Sequence, residues 1–230
     1  MTDAALAIPE SVDGVLFDAD GTLVDSTYFH TVSWWQSFAQ QSVTVPMAIL
    51  HRAIGMGADK LIQHVLDEAG IDAEVDAEQA TAAHDAFYSG YWAQLQPLPG
   101  ARAVLERCHR AGIATVLASS ASERELAVLR RVLDSDDWID VATCSADAGA
   151  TKPAPDLVEV ALQKAGLAAD RALFVGDAVW DIEAAKKLDV AGLGLESGGT
   201  GAAELRRAGA VATYRDPQQL LRRSEEWLKT

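Results

Sequence analysis

Two aspartates two residues apart, Asp18 and Asp20, stand where a short apolar run, GVLF from Gly14, gives way to Gly21 and Thr22. A carboxylate at the end of a buried strand can serve as a nucleophile, and a second one beside it as an acid and then a base. Carboxylates held this close repel one another, so the pair calls for a cation, and hard oxygen donors of this kind suit Mg²⁺. Asp-x-Asp alone reads as readily as a capped turn. The longer run Asp18-Ala19-Asp20-Gly21-Thr22-Leu23-Val24-Asp25, directly after an apolar strand, does not.

Further segments supply groups that such chemistry needs. Ser119 closes the apolar run IATVLAS and offers a hydroxyl and its loop's backbone N–H groups to an anion, with Ser120 next to it. Taken alone, Ser119 reads more readily as a capping serine. Lys152 precedes Pro153 and Pro155, which stiffen its loop, so its charge could neutralise a phosphoryl group in transfer. A loop lysine by itself is more often simply solvated. Gly176-Asp177 ends the run ALFVGD, and Asp181 follows in the first turn of the next helix, where it could instead act as a cap.

The elements that must position these residues alternate in type. GVLFD, IATVLASS, VATCS, ALFVGD, VAGLGL and VATY read as strands. Between and after them, ARAVLERCHR, SERELAVLRRVL, PDLVEVALQKA, DIEAAKKL and GAAELRRAG read as helices. This rhythm predicts an α/β core, a Rossmann-like parallel sheet covered on both faces. Ligands of such sheets collect beyond the carboxyl ends of the strands, which puts Asp18, Ser119 and Asp177 on one rim. Residues 27–94 break the rhythm, carrying helix formers with stops at Gly55-Met56-Gly57 and Gly70. They read as a helical domain inserted into a core made of residues 1–26 and 95–230. DPQQLLRRSEEWLKT is expected to be a terminal amphipathic helix with Leu220, Leu221 and Trp227 inward.

Composition bounds the partners. With 34 Asp+Glu against 19 Lys+Arg the net charge is -15, while 49% of residues are hydrophobic. The apolar fraction excludes an unfolded polyanion. The acidity disfavours nucleic acid and an anionic membrane surface. The first residues, MTDAALAIPESVDG, lack the pattern of a signal peptide. Cys108 and Cys144 are too few and too far apart for a disulfide framework or a zinc site. A cytoplasmic protein with reduced thiols is expected.

FDADGTLVDS, LASS, KPAPD and VGDAVWD, in that order, resemble the haloacid dehalogenase-like hydrolase superfamily. More narrowly, they are similar to its phosphoglycolate phosphatase and β-phosphoglucomutase group with a helical cap, over nearly the whole chain. The resemblance implies a Mg²⁺-dependent phosphatase acting on a small phosphorylated metabolite. By it, Asp18 forms an aspartyl-phosphate, and Asp20 protonates the leaving oxygen and then activates water. Ser119 and Lys152 hold the phosphoryl oxygens, and Mg²⁺ is bound by the Asp18 carboxylate, the Asp20 backbone carbonyl and Asp177. Asp181 supports the metal's surroundings or orients Lys152.

The departures from that pattern also bear on activity. A dehalogenase does not need Asp20. Phosphomutases of the group usually carry an acidic residue where Gly176 stands, which favours a phosphatase over a sugar phosphomutase, with a noncatalytic phosphate binder as a third reading. In the cap, His30, Arg52 and Lys60 are candidates for substrate contact, as is Ser120 from the core. Arg52 or Lys60 could grip an anionic leaving group, or be ordinary surface cations. Trp34, Trp35 and Trp92 are expected to pack as core.

Overall fold

The computed structural model describes residues 6–229. Residues 1–5, part of the stretch read above for a leader, lie outside the described residues, and no described helix is long and apolar enough to cross a membrane. Six strands form one sheet: β1 Gly14–Phe17, β2 Ala114–Ala118, β3 Val141–Thr143, β4 Ala172–Gly176, β5 Ala191–Leu195 and β6 Ala212–Tyr214. All pairings are parallel, in the order β3-β2-β1-β4-β5-β6. This is the α/β arrangement that the alternating sequence predicts. β1 is buried throughout, which is why it reads as an unbroken apolar run. Val15 and Phe17 face one apolar layer and Leu16 the other, as the two-residue period of a strand requires.

The chain winds outward from β1 to β3, then returns to build β4 to β6 on the other side. The order therefore reverses between β1 and β4, and a crevice opens there at the carboxyl ends. Phe17 is level with Leu117 of β2 and Val175 of β4, so the residues just beyond these strands, Asp18, Ser119 and Asp177, cluster on one rim.

Residues 27–94, inserted after β1, form four helices, α1 Thr27–Gln40, α2 Met47–Ala53, α3 Ala58–Ala69 and α4 Ala77–Ser89. They enclose an apolar cluster of their own, around Trp34, Phe38, Leu50, Leu61 and Val65. Gly70, at φ 62°, ends α3 in the left-handed conformation that glycine adopts without strain. Asp76 caps α4, its carboxylate accepting the Gln79 N–H at 3.0 Å. The segment leaves the sheet and returns to it along two neighbouring strands of chain. Asp25 N–H donates to the Gln96 carbonyl at 3.0 Å and Leu98 N–H to the Leu23 carbonyl at 2.8 Å.

The remaining helices are α5 Ala101–Arg110, α6 Glu123–Leu133, α7 Asp156–Ala165, α8 Val179–Lys186, α9 Ala202–Ala208, α10 Pro217–Arg222 and α11 Ser224–Trp227. Leu105, Leu129, Leu220 and Trp227 cover one face of the sheet, and Val158, Ala161 and Ala184 the other.

Three expectations need correction. The C-terminal segment is two short helices that meet at Arg223, because the turn there lets Trp227 Nε1 donate to the Leu220 carbonyl at 3.0 Å. Leu220 and Trp227 are fully buried, but Leu221 is only partly so. Trp34 packs in the helical insertion and Trp92 against the sheet's layer, whereas Trp35 is 40% exposed. Neighbouring residues on a helix point about 100° apart, so an inward Trp34 sends Trp35 outward. Helix α8 begins at Val179, ahead of the predicted Asp181, because the Asp181 carboxylate accepts the Ala178 N–H and extends the first turn.

Candidate active site

Asp18 is fixed as the chain leaves β1, where its N–H donates to the Val175 carbonyl of β4 at 2.9 Å. Lys152, wholly buried, pairs with the Asp18 carboxylate and also with Asp181 Oδ1 at 2.7 Å. Asp181 Oδ2 accepts the Ala178 N–H at 3.0 Å, so both of its oxygens are engaged. Asp177, at the end of β4, accepts the Thr22 hydroxyl on Oδ1 at 2.8 Å. Thr22 belongs to the loop after Asp20, so that loop and the β4 end are tied directly together.

The electrostatics of this group are unbalanced. Asp18, Asp177 and Asp181 each offer a carboxylate oxygen within 4.8 Å of the others, with the Lys152 ammonium among them. Burial pushes Asp18 up to about 7, against the pull of Lys152. It raises Asp177 well above the usual range, with Asp181 and Asp18 adding to the effect. Burial works against charging Lys152, yet Asp18 and Asp181 hold its ammonium above its ordinary value. Buried carboxylates in excess over cations are the donor set of a hard divalent ion.

The backbone is shaped to match. A Cβ on Gly198 would fall 1.7 Å from Asp177 Oδ2, and one on Gly21 2.5 Å from it. Gly21 also has φ +73°, which a side chain rarely tolerates. Bare backbone at both positions leaves that oxygen room.

Asp20 sits in a different environment. Its Oδ1 accepts the Ser26 hydroxyl at 2.5 Å and lies 3.2 Å from His30 Nε2. The same His30 nitrogen is 3.2 Å from Glu125 Oε1 of α6. His30 Nδ1 lies 3.1 Å from His84 Nε2, and His84 Nδ1 lies 3.0 Å from Asp85 Oδ1. The tautomers that satisfy this chain have an imidazolium at His30 donating from both nitrogens and a neutral His84 donating to Asp85.

The proton affinities agree with that assignment. Burial opposes a charge on His30, but Asp20 and Glu125 raise it to about 10. Burial lowers His84 to about 4, with the His30 charge contributing. Burial also works against ionising Asp20, but His30 and Ser26 outweigh it and hold the carboxyl below its usual range. Glu125 is raised, chiefly by burial. Tyr88 stacks on His30 at 3.8 Å between centroids and Trp34 on His84 at 4.4 Å, which seats both imidazoles against aromatic faces.

Both groups open into one cavity of about 360 Å³ between the helical insertion and the sheet's rim. Of the residues expected at a site, Asp18, Lys152, Asp177 and Asp181 are brought into direct contact or near it. Ser119 is buried at the end of β2, its hydroxyl oxygen accepting the Ala121 N–H at 3.1 Å, and Ser120 lines the cavity.

The three candidates in the insertion differ in position. His30 lines the cavity, with its ring nitrogens directed at Asp20, Glu125 and His84. Arg52 is exposed, outside the cavity lining, and its carbonyl accepts from Trp180 Nε1 at 2.9 Å. Lys60 is also outside the lining and donates to the Thr151 carbonyl. Both lie on the seam where the insertion meets the sheet's loops, Lys60 joined to it through its ammonium and Arg52 through its backbone carbonyl.

Sequence reading missed Thr22, Glu125, His84 and Asp85. Thr22 stood within the first motif as its only hydroxyl before Ser26. Glu125 follows Ser122 by three, the pattern of a helix start, and nothing local distinguishes it from an ordinary first-turn acid.

A family model described as haloacid dehalogenase-like hydrolase matches residues 12–189. The phosphoglycolate phosphatase of Yersinia pestis is 30% identical over 195 residues, covering 82% of this chain and 83% of that protein. The crystal structure of a hydrolase from Pseudomonas syringae matches with a TM-score of 0.88 at 33% identity, covering 93% of this chain and 98% of that one. The fold is also that of a β-phosphoglucomutase from Clostridium difficile, with a TM-score of 0.80 at 16% identity and coverage of 94% and 97%.

Proposed function

The chain belongs to the haloacid dehalogenase-like hydrolase family, and we propose that it is a Mg²⁺-dependent phosphatase of a small phosphorylated metabolite, working through an aspartyl-phosphate. The observation that carries this reading is the contact of Lys152 with both Asp18 and Asp181, beside Asp177, where the strand order reverses. A phosphate dianion would be repelled by Asp18 alone, and positive charge at this point offsets that repulsion.

In this reading an Asp18 oxygen attacks phosphorus while the bond to the ester oxygen breaks. The proton that Asp20 and His30 hold between them passes through Asp20 to the departing alkoxide, which leaves as the alcohol. Asp20, now a carboxylate, takes a proton from water as the water attacks the aspartyl-phosphate, which frees phosphate and restores Asp18. Lys152 and Ser119 hold the phosphoryl oxygens, and Asp181 aims Lys152. His30 positions Asp20.

The donor set fits a divalent cation, which Asp18, Asp177 and the Asp20 carbonyl would hold. When bound, it supplies positive charge to the phosphoryl oxygens. Residues 27–94 act as a cap over a core of residues 1–26 and 95–230, and exclude water while Asp18 attacks. The substrate is phosphoglycolate-like or sugar-phosphate-like. Cys108 and Cys144, both buried and unpaired, suit residence in a reducing cytoplasm.

One observation favours a second reading, a sugar phosphomutase. A Cβ on Gly176 would fall 2.4 Å from both Cβ and Oδ2 of Asp181. The space of a side chain at position 176 is thus filled by a carboxylate that α8 supplies, so the glycine does not leave the site short of an acid.

Phosphate release from a panel of phosphomonoesters, with Mg²⁺ and after chelation, tests the main reading. Metal-dependent release that vanishes in Asp18→Asn is expected. Release that survives chelation, or an Asp18→Asn variant at full rate, rejects it. Bisphosphate-dependent isomerisation without release selects the mutase.

A further inference from the structure

Among the described residues, the cavity walls that the insertion supplies carry no lysine or arginine. Trp34, Ile54, Met56 and Leu61 give apolar surface, and Thr81, His84 and Asp85 give polar surface. Among the described residues that line the cavity, from insertion and sheet alike, none is a lysine or an arginine. Lys152 lies beneath it, spent on Asp18 and Asp181.

His30 is the one lining residue that carries a positive charge, and it is shared between Asp20 and Glu125 while its other nitrogen faces His84. Charged, it is more than balanced by two carboxylates; neutral, it adds no cation. His84 is buried and directs a nitrogen at Asp85, an arrangement that burial keeps uncharged. Asp85 and Glu125 contribute carboxyl groups, not cations, to the same walls.

Closure does not change this inventory, because the insertion already rests on the sheet's loops. His51 Nε2 donates to the Gly198 carbonyl at 2.9 Å, Trp180 Nε1 donates to the Arg52 carbonyl at 2.9 Å, and Lys60 donates to the Thr151 carbonyl. The Lys60 ammonium is therefore held at the seam, and so is the backbone of Arg52, whose side chain is exposed and outside the cavity lining.

Taking the phosphatase reading as its basis, we infer that the substrate is a phosphomonoester whose leaving alcohol carries no anionic group of its own, of the polyol or sugar monophosphate kind. A carboxylate or second phosphate placed among these walls would be desolvated against Asp85 and Glu125 with no cation to receive it. Hydroxyls, by contrast, find partners in Thr81, Asp85 and the serines of the sheet's loops, and carbon finds Trp34, Met56 and Leu61. The site thus selects against phosphoglycolate-like esters and against the bisphosphates that a mutase cycle requires.

The test is kcat/KM on matched pairs that differ only in charge, with Mg²⁺ present. Glycerol 3-phosphate is set against 3-phosphoglycerate, and 2-hydroxyethyl phosphate against 2-phosphoglycolate. p-Nitrophenyl phosphate serves as a general probe. The uncharged member of each pair is expected to be favoured by at least about tenfold. Met56→Lys, which puts a cation on the wall, is expected to narrow that preference by about tenfold, mostly through KM for the acid. Carboxylated esters turned over as well as their neutral partners, while p-nitrophenyl phosphate is cleaved, overturn the inference and leave the phosphatase reading standing. No release from any ester, the general probe included, overturns both.

Discussion

His30 Nε2 lies 3.2 Å from the Asp20 carboxylate, although one residue belongs to the first helix of the insertion and the other to the loop after β1. Glu125, from a third element, holds the same nitrogen from the other side. The direction in which Asp20 points is therefore set by where the insertion sits. Phosphoryl transfer needs that carboxyl within reach of the leaving oxygen, so its aim is a condition for rate rather than for binding.

His30→Gln is expected to lower kcat by about ten- to a hundredfold with KM little changed. Removing the imidazolium also leaves two buried carboxylates facing each other, which costs about 2–4 kcal/mol of stability. Steady-state kinetics and denaturant unfolding of the variant check both. A change confined to KM would mean that His30 contacts substrate instead.

Mg²⁺ is expected to stabilise the fold as well as to enable turnover. Three buried carboxylates share a small volume with Lys152, and a cation that binds only the folded state raises its stability with concentration. Saturating Mg²⁺ is expected to raise Tm by about 5–10 °C, an effect that chelation reverses and Asp177→Asn abolishes. Calorimetry with and without the ion reads this without any substrate.

His84 gives the fold a dependence on acid. Its folded pKa is about 4 against 6.5 for the ordinary imidazole. Above 6.5 neither state is protonated there, and stability is independent of this group. As pH falls from 6.5 to 4 the unfolded chain binds a proton that the folded chain refuses, so stability declines, by up to about 3 kcal/mol. Below 4 the loss levels off. The wild-type minus His84→Gln difference in unfolding free energy, measured from pH 7.5 to 4, is expected to fall over that window. A flat difference would place a proton on the folded-state imidazole.

Gly176 and Asp181 compete for one space, since a Cβ on the first would lie 2.4 Å from the carboxylate of the second. Gly176→Glu alone is expected to cost about 1–3 kcal/mol and most activity, by pushing Asp181 off Lys152. Gly176→Glu combined with Asp181→Ala is expected to recover a large part of both. The two changes would then be strongly non-additive, and a double-mutant cycle measures it.

The parts of this arrangement that sequence displayed are those fixed by local patterning. β1, β2 and β4 are buried apolar runs, so their ends could be read, and Asp18, Ser119 and Asp177 with them. Lys152 stood out by the prolines around it. The imidazole chain did not, because Asp20, His30, His84 and Glu125 meet only through the packing of four separate elements. Arg52 and Lys60 misled for a related reason. A residue's charge says what it could bind but not which way its helix turns it: the seam took the Lys60 ammonium, and the Arg52 side chain is exposed outside the cavity lining. Trp35 shows the same limit within one helix, where its neighbour Trp34 took the inward direction.

The insertion is held together by its own apolar cluster around Phe38, Leu50 and Val65, with none of those side chains shared with the layers that sandwich the sheet. Inheritance can therefore act on the two parts at different rates. Replacements on the inner surfaces of α1 to α4 can redraw which alcohol is admitted while the aspartates and lysine beneath stay under unchanged selection. A lineage can in this way trade one diet for another without ever passing through a form that has lost its chemistry.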